Sequence, residues 1–149
     1  SIGQGDTLVT PMEMAVIASA VANDGEMVKP RYVDHIISAD GQKVKTFDKE
    51  SLGTVMSESE ANTLTELMKG VVQGGTAVSL SDLPYNIAGK TGTADHGNEG
   101  ETPHSWFVGF SNADDPDIVI AVVAENGGYS SEVAVPIAKQ VFEAYYAQQ

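Results

Sequence analysis

The chain has 149 residues, with 21 acidic and 8 basic side chains, a formal net charge of −13 and no cysteine. Its length suits one compact domain, and an apolar share of 42% is enough for a hydrophobic core. The charge argues against contact with nucleic acid or an anionic membrane, which needs clustered lysine and arginine, and no stretch is apolar and long enough for a membrane span.

The first third of the chain predicts a helix and a hairpin. Thr10-Pro11-Met12-Glu13 has the pattern of a helix-capping box with proline at the first helical position, and the predicted helix ends near Asn23. Because nearly all of its residues are apolar, we expect it to be buried on most sides. Segments 33–39 and 42–47 flank Asp40-Gly41, which predicts a peripheral, solvent-exposed hairpin.

A second helix is predicted from the capping box Ser57-Glu58-Ser59-Glu60 to the stop Gly74-Gly75. Apolar residues recur in it at intervals of three and four, which indicates one buried face. The residues expected on that face are Ala61, Leu64, Leu67, Met68, Val71 and Val72.

Three apolar runs, 87–94, 106–111 and 118–125, predict consecutive antiparallel strands. The segment 133–147 predicts an amphipathic helix that lies on the sheet. Its expected apolar stripe is Ala134, Ile137, Ala138, Val141, Phe142 and Tyr145. The fold class is therefore α/β in composition and of the α+β type, an antiparallel sheet covered by helices.

The run Ile-Ala-Gly-Lys-Thr-Gly-Thr-Ala at 87–94 is the strongest candidate site. Lys90 and Lys139 are the only lysines or arginines after Lys69, in a stretch with ten carboxylates, so Lys90 does not belong to a generic basic surface. We expect its ammonium to be largely buried in an otherwise apolar strand, beside the hydroxyls of Thr91 and Thr93. Gly92 permits close backbone approach, so the strand is suited to an anion or a carbonyl oxygen.

Two other interpretations of the lysine remain open at this stage. Gly89-Lys90-Thr91 imitates the end of a phosphate-binding loop, but Pro84 stands where that motif requires its first glycine, and no helical pattern follows. Alternatively, Lys90 is a solubilising charge on an edge strand.

A metal site is the weaker interpretation of the acidic segment that follows. Its possible ligands are Asp95, His96, Glu99, Glu101 and His104. Their spacing matches no recognised zinc pattern, so we expect a solvated loop with no metal, and we expect no cofactor. Trp106 and Phe107 are expected to be core residues of their strand.

Five ordered segments resemble the C-terminal half of the transpeptidase domain of class B penicillin-binding proteins. They are Ser-Ile-Gly-Gln-Gly-Asp at 1–6 with Thr10-Pro11, Val-Val-Gln-Gly-Gly-Thr-Ala at 71–77, the run at 87–94, Pro-His-Ser-Trp-Phe-Val-Gly-Phe at 103–110, and Glu-Asn-Gly-Gly at 125–128. Lys-Thr-Gly is one of three motifs of the penicillin-recognising serine enzymes. The resemblance implies a β-lactamase/transpeptidase-like fold.

The other two motifs, Ser-x-x-Lys and Ser-x-Asn, are absent from the chain, and only Thr46-Phe47-Asp48-Lys49 comes near the first. In the family both precede the Ile-Gly-Gln-Gly segment. We therefore expect residues 1–149 to be the C-terminal part of a transpeptidase domain that lacks the upstream half with the nucleophile. Such a chain should be inactive alone.

The resemblance also implies a chemistry. An upstream serine attacks the D-alanyl-D-alanine carbonyl of a peptidoglycan stem peptide, and β-lactam antibiotics acylate the same serine. Lys90 would supply positive potential, Thr91, Gly92 and Thr93 would bind the substrate, and the Thr93 N–H would form half of the oxyanion hole. A non-catalytic penicillin-binding or sensor domain and a structural interaction module are the alternatives.

The resemblance implies an extracytoplasmic protein with a membrane anchor upstream of this segment, which itself needs no membrane contact. The expected partners are the upstream half of the same domain, the stem peptide and β-lactams. Strand 118–124 is apolar on both faces, with no charge or proline. Without the upstream half we expect it to be an unprotected edge that pairs with another copy or aggregates.

Overall fold

A computed structural model describes residues 7–95 and 100–148. Its elements in chain order are α1 (Pro11–Ala22), β1 (Glu26–Val28), β2 (His35–Ile37), β3 (Lys43–Thr46), β4 (Ser51–Thr54), α2 (Glu58–Gly74), a 3₁₀ helix (Val78–Leu80), β5 (Ala88–Ala94), β6 (His104–Ser111), β7 (Ile118–Ala124) and α3 (Ala134–Tyr146). None of the helices in these ranges is long and apolar enough to cross a membrane.

The main sheet contains β5, β6 and β7 in that order, with both pairs antiparallel. Helices pack on it, α1 and α2 against its strands and α3 against β6 and β7. The predicted architecture, an antiparallel sheet covered by helices, is confirmed. Strand β6 begins at His104, two residues before the predicted start at Trp106.

Two apolar clusters hold the helices to the sheet. The larger surrounds Phe107 and Phe142, which are fully buried, and joins β6 and β7 to α2 and α3. The smaller contains Phe110 with Val21 of α1. Phe107 and Phe110 are three residues apart on β6, so their side chains point to opposite faces of the sheet. Each face therefore has its own core.

Helix α1 begins with the predicted capping box. The Thr10 hydroxyl accepts a hydrogen bond from the Glu13 N–H at 3.2 Å, and the Glu13 carboxylate accepts one from the Thr10 N–H at 2.7 Å. The expectation that α1 is buried on most sides is wrong, because Met12 and Ile17 are 42% and 46% exposed. Only the face with Ala18, Ala20 and Val21 is buried, since the described elements pack against that side alone.

The buried faces of α2 and α3 are rotated from the predicted stripes. In α2 the buried residues are Ala61, Thr65 and Val72, whereas Leu67 is 66% exposed. In α3 the buried residues are Ala134, Val135, Ala138 and Phe142, whereas Ile137 and Val141 are exposed. In both helices the buried face is therefore set by which side packs against the sheet, and it includes the small Ala61 and Ala138 as well as the large Phe142.

The predicted hairpin is present as the antiparallel pair β2–β3, with a register irregularity between Ile36 and Ile37. It is exposed, as expected. A second pair, β1–β4, was not predicted from the sequence. It brings the chain back to α2 after the hairpin.

Candidate functional site

Strand β5 carries Lys90 on an edge of the main sheet. β5 pairs with β6, and no other described strand lies beside it. Lys90 is exposed, so the expectation of a largely buried ammonium is wrong. Helix α2 packs against one side of β5, but the side chain of Lys90 remains exposed to solvent. The ammonium donates to the backbone carbonyl of Thr91 at 2.6 Å.

Alternation along β5 places Thr91 and Thr93 on one face and Lys90 and Gly92 on the other. Thr91 is buried, with 7% of its surface exposed, and stands opposite the fully buried Phe107 on β6. Its hydroxyl lies 2.5 Å from the hydroxyl of Thr76, a hydrogen bond in which either oxygen is able to donate. The segment that follows α2 therefore contacts β5 through the side chain of Thr76.

Thr93 is exposed, and its hydroxyl lies 3.4 Å from that of Ser130, which is itself buried. The cross-strand neighbour of Thr93 is Ser105, whose hydroxyl accepts a hydrogen bond from the Ala134 N–H at 3.1 Å. Hydroxyl groups from β5, β6 and the segment before α3 thus meet beside the start of that helix.

Two residues of this arrangement, Thr76 and Ser130, were not assigned a role from the sequence. Thr76 belongs to the segment 71–77 that carries part of the family resemblance, so its position along the chain was a signal, but its hydroxyl contact with β5 was not predictable. Ser130 lies in a segment with no motif of its own.

The glycines beside Lys90 differ in their surroundings. A Cβ added to Gly89 would lie 2.5 Å from the ring of Phe107. A Cβ added to Gly92 would meet only the Trp106 Cβ, at 3.3 Å. Gly89 is thus required by packing, whereas Gly92 leaves room beside the backbone.

The acidic segment after β5 shows no metal site where it is described. Residues 7–95 and 100–148 contain no group of three or more histidine and acidic side chains arranged to hold an ion. His104 Nδ1 accepts a hydrogen bond from the Asn126 N–H at 3.0 Å. His96 and Glu99, like the segment 1–6, lie outside the described residues.

A groove of about 430 Å³ lies between the end of α1, α2 and the β6–β7 turn, and no residue of the 87–94 run lines it. Its wall includes Glu66 and Asp114, which form ion pairs with Lys69 at 2.9 and 3.4 Å. The hydrogen bond from Lys69 to Glu66 is the main cause that raises the pKa of this lysine. Both carboxylates are therefore already paired with Lys69, so this groove is not our candidate site. We place the candidate site at β5.

The fold and the β5 motif together define a domain of the penicillin-recognising kind. Residues 1–143 match the family described as the penicillin binding protein transpeptidase domain. The chain belongs to that family. It is 37% identical to the peptidoglycan D,D-transpeptidase PbpA of Mycolicibacterium smegmatis over 86% of this chain and 26% of the relative. It is 33% identical to MrdA of Acinetobacter baumannii over 96% of this chain and 23% of the relative.

Solved structures agree. The ceftriaxone acyl-enzyme complex of penicillin-binding protein A from Mycobacterium tuberculosis matches with a TM-score of 0.86 and 33% identity, over 96% of this chain and 34% of that one. PBP2 of Pseudomonas aeruginosa in complex with WCK 5153 matches with a TM-score of 0.80 and 35% identity, over 97% and 32%. The chain thus spans about a quarter to a third of each of these four proteins. Relatives of the PBP2 type are consistent with class B.

Proposed function

We propose that this chain is the C-terminal part of a class B D,D-transpeptidase domain that cross-links peptidoglycan stem peptides through a serine acyl-enzyme. The observation that carries the proposal is that Lys-Thr-Gly-Thr lies on an edge strand of the main sheet and that its lysine, Lys90, is exposed. Several relatives are named peptidoglycan D,D-transpeptidases, and the solved neighbours include β-lactam acyl-enzymes. The nucleophilic serine belongs, in this proposal, to an upstream half of the domain.

Each residue of the motif has a proposed role. Lys90 supplies positive potential and bonds the serine of the family's Ser-x-Asn motif. Thr93 binds the carboxylate of the stem peptide or β-lactam, and its N–H forms half of the oxyanion hole. Thr91 is the second carboxylate contact, reached from the outer edge of β5, and Gly92 lets the ligand approach the backbone. No metal or cofactor takes part in this proposed chemistry.

The proposed setting follows from the same chemistry. The substrate is the D-alanyl-D-alanine end of a stem peptide, and β-lactams are competing acylating agents. Because stem peptides are cross-linked outside the cytoplasmic membrane, the parent protein is extracytoplasmic and is anchored through a segment upstream of these residues. The partner that completes the site is the upstream half of the same domain.

Fluorescent penicillin labelling of the parent protein tests the proposal. We expect covalent label on a serine upstream of this segment and none on the isolated chain. Lys90→Ala and Lys90→Arg should both abolish labelling with an unchanged melting temperature. The alanine removes the ammonium, and the planar guanidinium of arginine is a poor substitute for a compact ammonium among small residues.

Lys49→Ala is the matched control, because Lys49 is also an exposed lysine but lies outside the motif. It should label like the wild type. Label on a serine of this chain, or near-normal acylation of Lys90→Ala, would contradict the assignment. Stable acylation without any transpeptidation of stem peptides would instead favour the non-catalytic sensor.

A further inference from the structure

The hydroxyl pair Thr76–Thr91 links a residue outside the motif to its central threonine. The two oxygens are 2.5 Å apart, although the residues are 15 positions apart in sequence. Thr76 is exposed and Thr91 is buried. A buried hydroxyl with a partner on one side has its rotamer and its proton direction set by that partner.

The backbone on both sides holds Thr76 in place. The N–H groups of Gly75 and Ala77 both donate to the carbonyl of Val71, at 3.1 and 3.2 Å. Ala77 is fully buried, and a Cβ added to Gly75 would lie 2.9 Å from the Val71 carbonyl oxygen. The backbone of Thr76 is therefore fixed by the last turn of α2, which packs against β5, and its hydroxyl is held by the hydrogen bond with Thr91.

We propose that Thr76 is a positioning residue for the carboxylate of the ligand, acting through Thr91. When Thr76 donates its proton to the Thr91 oxygen, the Thr91 proton is left to donate to a carboxylate at the edge of β5. Without the Thr76 hydroxyl, Thr91 loses its partner, and its proton no longer has a set direction. This inference rests on the proposed function, because it assigns the carboxylate contact to Thr91.

The test uses the complete parent protein and two forms of one β-lactam, the free acid and its methyl ester. Thr76→Val keeps the shape of the side chain and removes the hydroxyl, whereas Thr76→Ser keeps the hydroxyl. We expect Thr76→Val to lower the second-order acylation rate constant for the acid by about tenfold, the lower end of the range for a hydrogen bond to a charged group, because the bond from Thr91 to the carboxylate is weakened and not removed. The loss should appear in the binding constant rather than in the limiting acylation rate.

For the ester, which has no carboxylate charge, Thr76→Val should react within about twofold of the wild type. Thr76→Ser should restore most of the rate with the acid. The double variant Thr76→Val/Thr91→Val should be no slower than Thr91→Val alone, because both remove the same interaction. Thr63→Val is the control: this exposed threonine of α2 bonds only the carbonyl of Ser59, at 2.8 Å among the described contacts, and its substitution should change neither rate.

Equal losses for acid and ester would show that Thr76 acts on the fold and would overturn the inference. So would wild-type kinetics in Thr76→Val while the wild-type protein is acylated. In that case the proposed function would stand. A wild-type parent protein that no β-lactam acylates would overturn the proposed function and, with it, this inference.

Discussion

At the scale of single residues, the motif strand β5 combines exposed side chains with side chains that face the core. Gly89 and Gly92 precede and follow Lys90 in the sequence, but the side chains that lie near them in the structure differ. The ring of Phe107 occupies the space beside Gly89, whereas beside Gly92 only the Trp106 Cβ is near. The same residue type is therefore required by packing at Gly89 and leaves open space beside the backbone at Gly92.

We expect Gly89→Ala to destabilise the domain by about 1–3 kcal/mol, because the fully buried Phe107 ring has no free space into which to move. Gly92→Ala should change stability by less than about 1 kcal/mol, since a contact at 3.3 Å needs only a small shift. Its effect should fall on acylation. Thermal unfolding and penicillin labelling of both variants check this; equal melting temperatures would contradict the packing difference.

At the scale of elements, both long N-terminal helices begin with capping boxes that contain a glutamate. In α1 the pKa of Glu13 is held below its usual range by hydrogen bonds from the backbone N–H and hydroxyl of Thr10. In α2 the hydroxyl and N–H of Ser57 lower the pKa of Glu60 in the same way. These carboxylates are more acidic in the folded chain than in the unfolded chain.

Folding is therefore favoured while both glutamates are ionised, and this stabilisation is lost as the pH falls. This stabilisation is complete above the pKa of the glutamates in the unfolded chain, about 4.3, and decreases from there towards their lower pKa in the folded chain.

The double variant Glu13→Gln/Glu60→Gln keeps the geometry of both capping boxes and removes the titration of the two carboxylates. Between pH 6 and pH 3.5 we expect its melting temperature to fall less than that of the wild type. Equal losses of melting temperature between pH 6 and pH 3.5 in the wild type and in this double variant would contradict the role of the capping boxes.

At the scale of the whole molecule, β7 forms the other edge of the described sheet. It pairs with β6 through Ile118–Ala124, and no other strand among residues 7–95 and 100–148 lies beside it. The strand has neither charge nor proline, the features with which proteins usually protect an edge. The exposed Met12 and Ile17 of α1, which packs against β7, are further uncovered apolar surface. Both features leave apolar surface uncovered among residues 7–95 and 100–148.

We expect the isolated chain to self-associate through β7. Sedimentation velocity over a range of concentrations should show this, and Val123→Lys should reduce it by placing a charge on the edge strand. Val141→Lys, the same substitution on the exposed side of α3, should leave association unchanged. A sharp monomer with cooperative unfolding for the wild type would contradict the idea of an incomplete domain.

Local sequence patterns predicted most of the elements. The capping boxes located the starts of α1 and α2, and the apolar runs located β5, β6 and β7, because these signals depend on a few neighbouring residues. The buried helix faces were less predictable. Leu67 is exposed while Thr65 is buried, because burial depends on which side of the helix meets the sheet and not on apolar character alone.

The residues of the candidate site were likewise predictable from local sequence only in part. Lys90, Thr91 and Thr93 were found through their motif, but neither the exposure of Lys90 nor the Thr76–Thr91 contact has a local signature. Both depend on which elements meet in three dimensions. The β1–β4 pair was missed for the same reason, because its strands are short and 22 residues separate them.

The one tryptophan of the chain stands next to the motif strand. Trp106 is half-buried on β6, directly across from Gly92 and on the same face of the sheet as Lys90. Indole emission shifts to shorter wavelength when water around the ring is displaced. In this chain, intrinsic fluorescence therefore becomes an unlabelled optical reporter of whatever covers that face. Titration of the isolated chain with a separately produced upstream half, excited at the indole band, would follow assembly in real time.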